Sequence, residues 1–109
     1  MIETEEALHN IDDILGVPGI DAIYVGPADL SISLGLKPSN GNDGNSKFDD
    51  ALKLIISKCK QYNIVPGIHS TGDLAPIRLK QGFKMVTVSS DLNAMRLGFQ
   101  TELQKAKKD

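Results

Sequence analysis

Residues 20–31 read Ile-Asp-Ala-Ile-Tyr-Val-Gly-Pro-Ala-Asp-Leu-Ser, and this stretch decides the fold. Its first half is apolar and rich in β-branched residues, which predicts a short buried strand over residues 22–25. The strand ends abruptly at Gly26, and the turn that follows carries Pro27 and Asp29. Residues 30–36 are apolar and ambiguous, and we interpret them as one turn of helix.

Helix and strand patterns alternate on both sides of this stretch. Thr4 is expected to cap a first helix over about residues 5–15, whose apolar residues fall on one face. Residues 37–46 form a loop rich in Asn and Gly. After the loop, Ser46 is expected to cap a second helix that closes near Asn63.

The second half of the chain continues this rhythm. A strand over residues 64–68 contains Pro66, which a bulge or a strand edge would tolerate because a central strand needs the N–H that proline lacks. A third helix is expected over about residues 73–81, followed by a third strand over residues 83–88. Asp91 is the expected N-cap of a final helix.

The element order is therefore αβαβαβα in a single domain, residues 1–109. Strands separated by helices of about 10 to 15 residues predict right-handed βαβ units and a parallel sheet. Met1 and Ile2 look like the last residues of a strand that should precede the first helix. We therefore expect these residues to be part of a larger βα domain, and on their own to have exposed sheet edges that favour self-association.

The composition excludes several classes of function. Hydrophobic residues make up 40% and charged residues 24% of the chain, which is ordinary for a soluble globular protein. A formal net charge of −2 leaves no basic excess for nucleic acid. The acidic N-terminus and the short apolar runs predict neither a signal peptide nor a membrane span, and the single Cys59 permits no internal disulfide. We expect a cytoplasmic protein that binds neither nucleic acid nor membrane.

Polar residues collect at the carboxyl ends of the expected strands, where parallel α/β folds bind their ligands. Glu3 and Asp29 stand at neighbouring strand ends, and paired carboxylates suit one hard divalent cation whose other ligands are water or substrate oxygens. The alternatives are a first-turn helix acid for Glu3 and an Asx turn for Asp29. Gly26 allows close backbone approach, so the amides of Ala28 and Asp29 could receive an anion such as a carboxylate.

The later strand ends carry further candidates. His69 could be a base, a ligand or a substrate contact, with a hydrogen-bonded loop histidine as the alternative. Residues 70–72 together with Ser89 and Ser90 form a candidate anion cradle, although the same hydroxyls also suit helix capping. Cys59 lies on the apolar stripe of the second helix and is expected in the core.

Three segments together resemble the HpcH/HpaI family of metal-dependent pyruvate aldolases, within the phosphoenolpyruvate/pyruvate barrel superfamily. They are Met-Ile-Glu-Thr at 1–4, residues 20–31 with the signature Gly-Pro-Ala-Asp-Leu-Ser, and Val-Thr-Val-Ser-Ser-Asp-Leu at 86–92. The resemblance covers essentially the whole chain. It implies the C-terminal part of a (β/α)8 TIM barrel with parallel strands, from the end of strand 5 to helix 8.

The resemblance also implies roles for individual residues. By position, Glu3 and Asp29 match the metal-binding carboxylates, and Gly26, Ala28 and Asp29 match the loop whose amides receive the pyruvate carboxylate. The family often has Gln where Met1 stands. Its arginine and its histidine base belong to the first half of the barrel, so His69 is not assigned as that base.

The implied activity is that of a class II aldolase, a carbon–carbon lyase that cleaves or forms 2-keto acids. A divalent cation, Mg²⁺ or Mn²⁺ with Co²⁺ as a further candidate, would stabilise a pyruvate enolate that adds to an aldehyde. We expect a homo-oligomer, or a chain that needs the missing half-barrel, and little activity from these residues alone. The alternatives are a citrate-lyase-like member of the superfamily, a phosphate-binding half-barrel module and a non-catalytic remnant.

Overall fold

The structure, a computed structural model that describes residues 1–108, is built on a three-stranded parallel sheet of order β1-β2-β3. In chain order the elements are α1 (Glu5–His9), α2 (Ile11–Leu15), β1 (Ala22–Val25), α3 (Pro27–Ser33), α4 (Ser46–Gln61), β2 (Val65–Ile68), α5 (Ala75–Gln81), β3 (Met85–Val86) and α6 (Asp91–Ala106). Helices separate the successive strands, and both strand pairings are parallel. The predicted parallel α/β architecture is confirmed.

Ile2 extends the sheet beyond β1. It forms a parallel bridge with Val25. The Ile2 N–H donates to the Tyr24 carbonyl at 2.8 Å, and the Gly26 N–H donates to the Ile2 carbonyl at 3.1 Å. Where the sequence predicted the last residues of a strand, the structure has this single bridge at Ile2, and the residue after Ile2 is placed beside the end of β1.

Pro66 lies in the central strand, although its missing N–H suggested a bulge or an edge. Its Cα is in register with Ile23 of β1. The Val65 N–H bonds toward β1, to the Asp21 carbonyl, and alternate residues of a parallel strand bond to opposite neighbours. The missing N–H would therefore face β3. The first hydrogen bond between β2 and the segment of β3 is the one that the Lys84 N–H donates to the Pro66 carbonyl at 2.9 Å. Because this pairing starts only there, the missing N–H of Pro66 costs the sheet no hydrogen bond.

The first two predicted helices need correction, one within its length and the other at its N-terminus. The single helix expected over residues 5–15 is two short helices, because Asn10 takes a non-helical conformation with φ −100° and ψ 16°. Thr4 caps α1 as predicted, and its side chain accepts a backbone N–H at 3.0 Å. Ser46 does not cap α4. Asn45 does so instead, and its Oδ1 accepts the N–H groups of Lys47 and Phe48 at 3.0 and 3.4 Å.

Three further elements differ from their predictions. Only residues 30–33 of the stretch interpreted as one turn of helix belong to the seven-residue α3, which starts earlier because Pro27 suits a first helical position. Ser90, not Asp91, caps α6, since its Oγ accepts a helical N–H at 3.3 Å. The strand expected over residues 83–88 is only two residues long, since β3 pairs with Gly67 and Ile68 alone.

The core lies where α1, α2 and α4 cover one side of the sheet. Val25 and Ile68 of the strands and Phe48 and Ile55 of α4 have no exposed surface. Cys59 is equally buried, as predicted, and burial raises the pKa of its thiol to about 11. The side chain therefore stays uncharged and packs as part of the core.

Helix α6 is packed differently, since it buries none of its residues. Its large apolar side chains are 53–64% exposed; they are Leu92, Met95, Leu97, Phe99 and Leu103. These exposed fractions mean that the rest of the described chain does not cover the apolar surface of α6.

Among residues 1–108, no helix is both long and apolar enough to cross a bilayer.

A buried arginine fastens the loop between α3 and α4. Arg78 of α5 is fully buried. Its guanidinium donates two hydrogen bonds of 2.9 Å to the Asp43 carboxylate and one of 2.8 Å to the Asn40 carbonyl. The same group lies 5.6 Å from the centre of the Phe48 ring. The loop is therefore held against α4 and α5 at a defined position.

We expect the substitution Arg78→Leu to lower the free energy of unfolding by about 2–3 kcal/mol. Removing one partner of a buried ion pair costs about 3–5 kcal/mol, and the Asp43 side chain, which is 31% exposed, recovers part of that loss by hydration. Urea denaturation followed by circular dichroism measures the change. The control is Lys105→Gln, which breaks an exposed pair worth less than about 1 kcal/mol. A loss no larger than that of the control contradicts the expectation.

Candidate metal and keto-acid site

One pocket of about 300 Å³ contains the polar residues that follow the strands. It is lined by Met1, Glu3, Tyr24, Gly26, Ala28, Asp29, Asn40 and His69. Every residue that the sequence singled out for metal, carboxylate or site lining is in this set. Sequence reasoning missed Tyr24 and Asn40, and only Tyr24 carried a signal, as a polar-tipped residue in an otherwise apolar strand.

The two candidate metal ligands are held side by side. Glu3 follows the bridge at Ile2 and precedes the N-cap of α1, so it is not the first-turn helix acid of the alternative interpretation. Asp29 lies in the first turn of α3. A hydrogen bond between the two carboxyl groups, together with burial and the negative charge of Asp29, raises the pKa of Glu3 above its ordinary value. A proton or a cation between the two groups relieves this repulsion.

Gly26 leaves the space in which the Glu3 side chain lies. A Cβ atom at this position would lie 2.9 Å from Glu3 Oε2 and 3.3 Å from Glu3 Cβ. The backbone of Gly26 cannot move away, because its N–H is bonded to the Ile2 carbonyl. Glycine at this position therefore allows the close approach of the two chain segments, and a Cβ atom here would shift the Glu3 carboxylate.

The start of α3 presents backbone donors beside the same carboxylates. Gly26 is the N-cap, and no side chain caps the helix. Pro27 has no N–H, and the first N–H bonded within the helical pattern is that of Leu30, which donates to the Gly26 carbonyl at 2.9 Å. The N–H groups of Ala28 and Asp29 thus have no partner within the helix. They are suited to receive the carboxylate of a small acid.

His69 lines the pocket from the end of β2 and is hydrogen-bonded there. Its Nδ1 lies 3.0 Å from the Tyr24 hydroxyl and 3.5 Å from Thr87 Oγ1. The Tyr24 hydroxyl is itself 3.3 Å from Thr87 Oγ1. The rings of Tyr24 and His69 meet edge to face, with their centroids 6.3 Å apart. This pairing joins two neighbouring strands through their side chains, which the sequence did not reveal.

The residues considered for an anion cradle serve in part as capping groups. Thr71 Oγ1 accepts the Leu74 N–H at 3.3 Å, and Ser90 caps α6. Ser70 is buried and its hydroxyl donates to the Thr71 carbonyl. Two other residues of the group, Gly72 and Ser89, line a separate pocket of about 550 Å³. Residues of α6, among them Arg96, line the same pocket. For Thr71 and Ser90 the capping interpretation is therefore the one that the structure supports.

The donor set fits a hard divalent cation. Mg²⁺ is usually held by one or two carboxylates, with waters and substrate oxygens completing an octahedron, and Glu3 and Asp29 supply two such groups. Among residues 1–108 no cluster of three or more His, Cys, Asp or Glu side chains is present. A closed tetrahedral zinc site, which needs four such ligands, is therefore not present among the described residues.

Comparison with known proteins identifies the family. Residues 1–97 match the family model described as HpcH/HpaI aldolase/citrate lyase. The chain belongs to this family. The curated relatives include a hydroxypyruvate/pyruvate aldolase of Rhizorhabdus wittichii, which is 38% identical over 84% of this chain and 37% of the relative. They also include a 4-hydroxy-2-oxo-heptane-1,7-dioate aldolase of Klebsiella pneumoniae, which is 36% identical over 89% of this chain and 36% of the relative.

Solved structures confirm the fold. The crystal structure of an HpcH/HpaI aldolase/citrate lyase family protein from Burkholderia cenocepacia superposes with a TM-score of 0.85 at 26% identity, and the match covers 98% of this chain and 41% of that one. The chain spans less than half the length of these relatives. Its three parallel strands and their helices form part of a TIM barrel, as the sequence predicted.

We expect Asp29→Asn to lower the pKa of Glu3, because the variant removes the carboxyl partner and the negative charge that raise it. Carbon-13 NMR of the side-chain carboxyl groups, recorded against pH without metal, measures the change. In the unmodified chain, a raised pKa means that Glu3 favours folding below its unfolded-state pKa, and this contribution is lost as the pH rises through the raised value. The control is Asp13→Asn in α2. An unchanged Glu3 pKa in Asp29→Asn contradicts the pairing.

Proposed function

We propose that this chain supplies the metal- and keto-acid-binding part of a class II aldolase site, which cleaves or forms 2-keto acids. The observation that carries the proposal is the placement of Glu3 and Asp29 in one pocket with the backbone donors of α3. Family membership supports it, because the curated relatives are named as aldolases. The names of those relatives also support pyruvate or a related keto acid as substrate.

Glu3 and Asp29 are the groups that hold the cation, which we propose to be Mg²⁺ or Mn²⁺, with Co²⁺ as a further candidate. When bound, the cation polarises the keto oxygen and stabilises the negative charge that develops as a carbon–carbon bond breaks or forms. Gly26 leaves the Glu3 carboxylate in its position, because a Cβ atom at Gly26 would lie 2.9 Å from Glu3 Oε2 and shift it. Both groups are ionised when they hold the cation, so they then accept hydrogen bonds only and offer no donor to the acid group of the substrate.

The amides of Ala28 and Asp29 orient the keto acid. They donate to its carboxylate, and the partial positive charge at a helix start favours that anion. The volume of about 300 Å³ matches the small end of ligand sites and leaves space for an aldehyde beside a three-carbon acid. None of the lining residues is an arginine or a lysine. The cationic group and the base that complete the reaction are therefore proposed to come from elsewhere in the protein.

We expect Mn²⁺ to bind the chain and the variants Glu3→Gln and Asp29→Asn each to weaken binding at least about tenfold, since each removes one of two charged ligands. Isothermal titration calorimetry measures the affinity. Gly26→Ala should weaken binding as well, because its Cβ would displace the Glu3 carboxylate. Asp13→Asn is the matched control and should leave the affinity unchanged. Equal affinities in the chain and in both carboxylate variants would exclude the proposed site.

The apolar surface of α6 supports a proposal about assembly. Five large apolar side chains on one helix are more than half exposed, and contiguous apolar surface of this kind favours association. We propose that in the working protein this surface is covered by a second copy of the chain or by further polypeptide.

Light scattering coupled to gel filtration tests this assembly. The chain should elute above its monomer mass of 11.8 kDa, and Leu97→Ser combined with Phe99→Ser should shift it toward the monomer. Lys105→Gln on the same helix is the control for a change outside the apolar surface. A chain that stays monomeric and well dispersed at high concentration contradicts association.

A further inference from the structure

Asn40 lines the same pocket as Glu3 and Asp29, and the proposed function gives it no role. The residue is half-buried. Within the described chain it forms a hydrogen bond through its backbone carbonyl, which accepts from Arg78, while its side-chain amide has no partner. Ligand pockets use a small number of placed polar groups to orient what they bind. The side-chain amide of Asn40 is a candidate for such a group.

Other polar side chains of the same loop are bonded within the protein. The Asn42 amide donates to the Ser31 hydroxyl at 2.8 Å. The Asp43 carboxylate accepts two bonds of 2.9 Å from the guanidinium of Arg78. The unpaired amide of Asn40 is therefore not a general property of this loop, and it occurs where the loop reaches the pocket.

The peptide group between Asn40 and Gly41 is held at both of its polar atoms. Its oxygen accepts a bond of 2.8 Å from Arg78, which is fully buried. Its N–H donates to Ser39 Oγ at 3.0 Å. A side chain that starts from a fixed backbone loses less conformational entropy when it binds a ligand. The loop therefore presents the Asn40 side chain from a defined position.

The chemistry of this side chain suits an anionic ligand that lies beside two acids. A carboxamide has two N–H donors and one acceptor oxygen, and it carries no charge. A lysine or arginine in this place would pair with Glu3 or Asp29 and would compete with a cation for them. The Tyr24 hydroxyl and the His69 ring, which also line the pocket, already share a hydrogen bond. Asn40 offers donors that no contact in the described chain uses.

We infer that Asn40 is a further ligand-binding residue, whose side-chain N–H groups donate to an oxygen of the bound keto acid. This inference rests on the proposed function, which places the carboxylate of that acid at the α3 amides. A carboxylate has about four lone-pair sites, so two backbone amides leave room for another donor. The pocket of about 300 Å³ is at the small end of ligand sites, which keeps the acid close to the lining residues.

Arg78, Asp43 and Ser39 are positioning residues in this arrangement. Arg78 and Ser39 bind the peptide group that follows Asn40, and Asp43 holds the Arg78 guanidinium. They act on the ligand only through the Asn40 side chain. Their substitution should therefore change ligand affinity only while that side chain is present.

The test uses the chain labelled with nitrogen-15, in excess Mg²⁺, with pyruvate as the probe. The side-chain NH₂ signals of Asn40 should shift over the same pyruvate concentrations as the backbone signals of Ala28 and Asp29. Asn40→Ala should raise the Kd for pyruvate about tenfold, the low end for a hydrogen bond to a charged group. Asn40→Asp, which replaces the donors by an acceptor of the same size, should raise it further. Asn93→Ala on the exposed α6 is the control and should leave it unchanged.

A double-mutant cycle tests the positioning residues. Asp43→Asn keeps the shape of the side chain and removes its charge, and Ser39→Ala removes the acceptor of the Gly41 N–H while the buried pair stays intact. Each should weaken pyruvate binding severalfold in the unmodified chain and have no further effect in Asn40→Ala. An equal loss of affinity in both backgrounds overturns the positioning role.

The outcomes separate this inference from the proposed function. If the unmodified chain binds Mn²⁺ and pyruvate, and Asn40→Ala and Asn40→Asp bind pyruvate as tightly, the role of Asn40 is overturned while the metal site stands. Weaker binding in both variants, with the control unchanged, supports it. Absence of Mn²⁺ or pyruvate binding in the unmodified chain overturns the proposed function, and the inference with it.

Discussion

The parallel bridge between Ile2 and Val25 is the constraint on which the candidate site depends. Two backbone hydrogen bonds fix the segment before α1 against the end of β1. Because the next residue in one segment is Glu3 and the next in the other is Gly26, the bridge sets a carboxylate directly against a residue without a side chain. Asp29 follows three residues later in the first turn of α3, so a short stretch of sheet geometry determines the distance between both acids.

A second constraint acts on the loop that brings Asn40 to the pocket. The loop between α3 and α4 has few apolar residues, so its position depends on polar contacts. The buried guanidinium of Arg78 binds both the Asp43 carboxylate and the Asn40 carbonyl of that loop. Ser31 holds the same loop through Asn42, whose side-chain amide donates to the Ser31 hydroxyl at 2.8 Å. Asn40 thereby reaches the pocket wall through contacts that lie far from it in sequence.

The sequence predicted what depends on local pattern. The β-branched run before Gly26 gave the strand, and polar residues at strand ends gave Glu3, Asp29 and His69 as candidates. It did not predict contacts that join distant segments, such as Tyr24 with His69 or Arg78 with Asp43, because nothing in the pattern of either partner marks the other. Errors in helix ends have the same origin, since Asn45 and Ser46 are both good caps and only the local backbone decides between them.

The groups proposed to bind ligands are ones whose interactions the described chain leaves incomplete. The hydrogen bond to the Asp29 carboxyl, burial and the negative charge of Asp29 raise the pKa of Glu3, so this pair of acids does not readily carry two negative charges. The first amides of α3 lack the side-chain cap that α1 and α4 both have. A fold selected for stability alone would separate the acids and place Ser or Asp at the cap. A cation between the acids and a carboxylate on the amides satisfy both groups at once, so the bound ligands complete the interactions that the chain leaves open.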